Sequence, residues 1–131
     1  VTMAGCAGWA QSLSDAGASP LNPDLRGTVI NRLMILLHTD RTEAEPSFLT
    51  LAASIEAALA PLADSSPEFA RDWVRLRVLR YAYEYGRSLS ACELHKEQKG
   101  LAATEAVALL RAQPQSGVEQ WLDLISLPCG P

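Results

Sequence analysis

An all-α fold, a compact bundle of four to five helices with a long central helix, is the architecture this 131-residue chain predicts. Three observations predict it. Alanine and leucine supply 20 residues each against 8 aromatic residues, and Ala and Leu lose little freedom in a helix while aromatics favour strands. From about residue 22 onward, apolar positions recur at helical rather than alternating spacing. Helix-start signals at Asn22-Pro23-Asp24, Pro46 and Ser66-Pro67-Glu68 divide that stretch into segments. A chain this short uses most of its residues in one core, so a single domain over 22–131 is expected. Residues 1–21 are small, polar and aperiodic, as a flexible arm is.

The first helix starts where Asn22 caps, Pro23 takes the first position and Asp24 meets the positive end of the dipole. Leu25, Val29, Leu33, Leu36 and Leu37 give it an apolar face that ends near His38–Asp40. A second helix follows Pro46, with Phe48, Leu51, Ile55, Leu59 and Leu62 as a narrow seam. The third, capped by Ser66, is predicted to run from Pro67 to about Lys99, with Gly86 as a kink and Gly100 as the stop. It carries two apolar stripes, one with Val74, Val78, Tyr81, Tyr85 and Leu89, the other with Phe69, Trp73, Leu76 and Tyr83. Neighbours on two sides place this helix at the centre. A short helix over 101–112 ends at Pro114, and the capping box Ser116-Gly117-Val118-Glu119 opens the last one.

Eleven basic residues against fifteen acidic ones give a net charge of −4, without the global pull that nucleic-acid binding needs. No apolar run approaches the roughly 20 residues that span a bilayer. Catalytic motifs are lacking: there is no G-x-S-x-G elbow, no H-E-x-x-H and no phosphate-binding glycine loop. No catalytic residue, metal ligand, cofactor or small-molecule substrate is therefore assigned. Cys92 and His95 lie at i, i+3, and with His38 and Cys129 they are the only set approaching a zinc site, but they lack the second closely spaced pair of structural zinc motifs. His95 with Lys99-Gly100 is similar to the histidine phosphotransfer domains, although lysine and glycine follow one position later than in that family. That offset turns the lysine by about 100° around the helix.

Met3-Ala4-Gly5-Cys6 resembles the lipobox of bacterial lipoproteins, an apolar residue and two small ones before the cysteine that takes the lipid. The resemblance implies lipidation of Cys6. With Ala7 rather than Asp next, it also implies export to the outer membrane. It further expects a basic segment and an apolar stretch upstream of Val1. Lipidation of Cys6 would leave Cys92 and Cys129 as an even pair, able to bridge in an oxidising periplasm. Closing that loop of about 38 residues would stabilise the fold by about 4 kcal/mol. The alternative is a cytosolic helical interaction or regulatory domain, able to dimerise through an exposed apolar stripe, starting at Met3 with three free thiols.

Lipid anchor, polar arm, helical bundle and one disulfide together look like the helical pilotins of type II secretion, which grip a short segment of a secretin. That similarity implies a non-catalytic envelope protein with another protein as partner, touching the membrane through its lipid alone. The expected groove is on the third helix. Trp73, Leu76 and Tyr83 would supply its apolar wall, and Arg80 and Arg87 would receive a carboxylate from a helical or C-terminal segment of the partner.

Overall fold

The computed structural model describes residues 21–39, 44–86 and 95–126, and among these every regular element is helical. Helix α1 (Pro23–Thr39) begins at the predicted cap, where Asn22 Oδ1 accepts from the amides of Asp24 (2.8 Å) and Leu25 (3.2 Å). Helix α2 (Pro46–Leu59) buries Phe48, Ile55 and Leu59, and a 3-10 turn over Ala60–Leu62 leads out of it. Helix α3 (Pro67–Tyr81) passes directly into a π turn over Ala82–Gly86. Helix α4 (Lys96–Ala112) follows. Two 3-10 turns, Pro114–Ser116 and Glu119–Trp121, then lead to the short helix α5 (Leu122–Ser126).

The centre of the bundle is α3, as the two stripes predict. It packs against α1, α2 and α4 and against the turn at 114–116. Val74, Leu76, Val78 and Leu79 are all enclosed, and they point to different sides of one helix. From α1, Val29 and Leu33 meet them; from α4 come Ala102 and Ala106, small residues that let the backbones approach closely.

Three local expectations are corrected. The helix foreseen over 67–99 divides, because the α-helical pattern gives way to the π turn at Ala82 and a separate helix starts at Lys96. Gly86 lies in that turn because a side chain would not fit: a Cβ there would sit 2.6 Å from Leu124 of α5. Gly100 does not stop a helix but lies inside α4, which takes up the residues assigned to a separate 101–112 helix. A glycine ends a helix where the chain turns left-handed. Among the described residues Gly117 alone does so, at φ 76°. The capping box after Pro114 does not form. The hydroxyl of Ser116 is buried without a hydrogen-bond partner, and α5 begins only at Leu122.

Candidate functional site

The arginines of α3, dispersed around the helix in the sequence, sort into two groups on opposite faces. On the face toward α2 and α4, the side chain of Glu56 is 3% exposed and receives both Arg77 (3.1 Å) and Arg80. Arg77 also reaches Glu105 of α4 at 3.1 Å, and the Tyr81 hydroxyl donates to the same carboxylate. The Arg77 guanidinium also lies over an aromatic face, 5.3 Å from the Tyr81 ring centre. Burial, joined by the hydrogen bond to Glu105, pushes the Tyr81 phenol up to about 12. Burial opposes the charge on Arg77, yet its contacts with Glu105 and Tyr81 outweigh this and hold its pKa above the ordinary value. Two cations and two carboxylates make this group neutral and closed.

The opposite face of α3 meets α1. Here Arg26, 1% exposed, donates to Asp72 at 2.5 Å and to Glu68 at 3.1 Å, and its guanidinium lies 5.0 Å from the Phe69 ring centre. Arg75 reaches Asp72 at 3.4 Å and donates through Nε to the Ser116 carbonyl at 2.6 Å. Arg71 comes only to 3.8 Å from Asp72, beyond hydrogen-bond range, and its Nε has no hydrogen-bond partner. Three arginines face two carboxylates, which leaves this group with a surplus positive charge.

Between α1 and α3 that face opens into a cleft of about 320 Å³. One wall is α1, with Pro23, Gly27, Ile30, Asn31 and Met34. Their spacing of i, i+4, i+7, i+8 and i+11 forms one stripe about 16 Å long. The other wall is α3, with Glu68, Arg71, Asp72 and Arg75 at i, i+3, i+4 and i+7. The cleft thus sets a largely apolar stripe opposite a charged one. Gly27 widens it, because a Cβ there would meet nothing within 4 Å.

The groove expected along Trp73, Leu76, Arg80 and Tyr83 is not assembled as an open surface. Leu76 is fully enclosed in the core, at 0% exposure. Arg80 does hold a carboxylate, but it is the protein's own Glu56. The Tyr83 hydroxyl accepts the Ala44 amide at 2.8 Å, and the ring packs on the core. Trp73 is half-buried, with its indole N–H enclosed and without a hydrogen-bond partner. Arg87, Cys6, Cys92 and Cys129 lie outside the described residues, as do residues 1–20 of the arm. His38 packs edge-on against Trp121 at 4.9 Å, and His95 lies edge-on to Tyr85 at 6.2 Å. Among the described residues no group of three His, Cys, Asp or Glu side chains is placed to hold a metal ion.

Sequence reasoning missed Gly27, Met34 and Arg71 as a set. Their signal was present in the two helical stripes, but nothing in either stripe shows that the two face each other. Comparison with family models, with curated proteins and with solved structures gives no match.

Proposed function

We propose that this chain is a non-catalytic, partner-binding helical domain that holds a segment of another protein in the cleft between α1 and α3. The observation that carries the reading is the pairing of the two walls: half-buried Met34, backed by the core residue Ile30, offers apolar contact while Arg71 and Arg75 offer polar anchors at the rim. The volume lies at the low end of the roughly 300–1,000 Å³ usual for a binding site, and five of the nine lining residues are polar or charged. Methionine suits such a wall because its flexible thioether adapts to the shape it meets. A photo-crosslinking amino acid at Asn31, in the cleft, tests the reading against one at the exposed Ala57 of α2. In the native cells, Asn31 is expected to give a discrete protein adduct and Ala57 none. No adduct from Asn31, or the same adducts from both positions, would overturn it.

The envelope setting is part of the same proposal and rests on Met3-Ala4-Gly5-Cys6. In this reading a lipid on Cys6 anchors the domain to the outer membrane from the periplasmic side, pilotin-like, and Cys92 pairs with Cys129. Expression from the native gene with labelled palmitate should label the protein, and Cys6→Ala should abolish the label. An unlabelled wild-type chain assigns the same cleft to a cytosolic interaction domain. A thiol count on the unreduced protein tests the bridge: two fewer free thiols than in the reduced protein support it, and equal counts exclude it.

A further inference from the structure

We infer that the α1/α3 cleft recognises a peptide carboxylate lying beside an aliphatic side chain, with Arg71 and Arg75 as the clamp for the anion. The inference rests on the cleft being a protein-binding site and adds what it reads. The charge of the site points to the ligand. Asp72 is held from below by the buried Arg26 at 2.5 Å, whereas Arg75 reaches it at 3.4 Å and Arg71 only at 3.8 Å. The carboxylate of Asp72 is thus mainly committed to Arg26, and the two rim guanidiniums keep donors in hand. The Arg71 side chain is 38% exposed while its Nε is enclosed without a hydrogen-bond partner, so the exposed end of the guanidinium is the part a ligand reaches. Planar guanidiniums with spare donors match the two oxygens of a carboxylate.

The surplus of a single positive charge fits a carboxylate, which carries one negative charge, better than a phosphate group, which carries nearly two at neutral pH. The cleft lining itself balances Glu68 and Asp72 against Arg71 and Arg75, and the surplus charge comes from the buried Arg26 beneath Asp72. Opposite the clamp, Met34 supplies the apolar contact over the buried Ile30, and the space over Gly27 admits the peptide backbone. A satisfied version of the same chemistry exists within the molecule, where Arg77 and Arg80 enclose Glu56.

The carboxylate can be a chain terminus or an Asp or Glu side chain, and the test separates these sources. Three pools of hexapeptides, randomised except at stated positions, are titrated into the folded protein while the Gly27 and Asn31 amide resonances are followed. One pool ends in leucine with a free carboxylate, one ends in leucine amide, and one is amidated with glutamate before the leucine. Saturable shifts from the first pool alone identify a terminal carboxylate; shifts from the first and third identify any carboxylate. Shifts from the third alone identify a side chain. Arg71→Gln should weaken binding about tenfold or more, the size of a lost charge-assisted hydrogen bond, and Arg71→Lys should restore part of it. Gly27→Leu should block binding while the thermal transition stays cooperative. Equal binding of all three pools, no shifts at millimolar peptide, tighter binding of inorganic phosphate, or an unaffected Arg71→Gln variant would each overturn the inference. A crosslinked partner at Asn31 without carboxylate dependence would sink the inference alone, whereas loss of the crosslink sinks the binding site itself.

Discussion

The two faces of α3 use the same residue types to opposite ends. Toward α2 and α4, two arginines meet two carboxylates, and each group finds a partner inside the protein. Toward α1, the neighbouring helix contributes another arginine instead of a carboxylate, and the balance tips to positive. The first arrangement closes on itself and joins three helices. The second is anchored at its base by Arg26 and left incomplete at its rim. An arginine's role in this bundle is thus set less by its own helix than by what the facing helix presents. Ion pairs at partly exposed positions contribute little stability, so the open face has donors to spare at small cost to the fold.

The comparison can be broken most directly at Glu56. Glu56→Ala leaves Arg80 without its partner and Arg77 with Glu105 alone. A loss of about 2 kcal/mol or more is expected in urea unfolding, below the roughly 3–5 kcal/mol of a fully buried pair. The reduction follows from the two arginine side chains, 35% and 31% exposed, which keep part of their hydration. A cost under about 0.5 kcal/mol would remove the distinction between the faces.

Alkaline pH probes the same closed face. With the Tyr81 phenol pushed up to about 12, the unfolded chain releases this proton near pH 10 and the folded chain two units later. The stabilisation is complete below pH 10 and is lost as pH rises through about 12. In a spectrophotometric titration, Tyr81→Phe should remove a late step and flatten the decline of stability between those values. An unchanged late step would show that Tyr81 is not held by Glu105.

Smaller effects are expected at the cleft. Gly27→Ala should raise stability by about 0.5–1 kcal/mol, because the position is helical and the added methyl meets open space. A lowered melting temperature would mean that the cleft is tighter than its geometry. Arg71→Gln should change stability by no more than about 0.5 kcal/mol, as substitutions outside core and network positions do. If Arg71→Gln costs as much as Glu56→Ala, the α1/α3 face is a structural network rather than a binding surface.

Helix starts were legible because they depend on nearest neighbours. Asn22 and Pro23 at α1, Pro46 at α2 and Pro67 at α3 act within one turn of the chain. Helix ends and kinks were less so. Gly86 and Gly100 look alike in sequence, yet one lies in a π turn against Leu124 and the other in the open interior of α4. Ser116 and Glu119 have the spacing of a capping box, but burial of Ser116 against the bundle prevailed over the local motif. The candidate site was the least legible part. Leu76 and Arg80 share the Trp73 side of α3 on a helical wheel, and only contact with α2 shows that one is core and the other is already paired.

By itself the sequence determined that the described chain is helical, where its first three helices begin, and that α3 lies at the centre with apolar stripes on two sides. Those properties come from periodicity and capping, which act over a few residues. Tertiary structure alone decided which arginines close on internal carboxylates and which face a cleft. That choice depends on contacts such as Arg26 with Asp72 and Arg80 with Glu56, 46 and 24 residues apart, which no local pattern encodes.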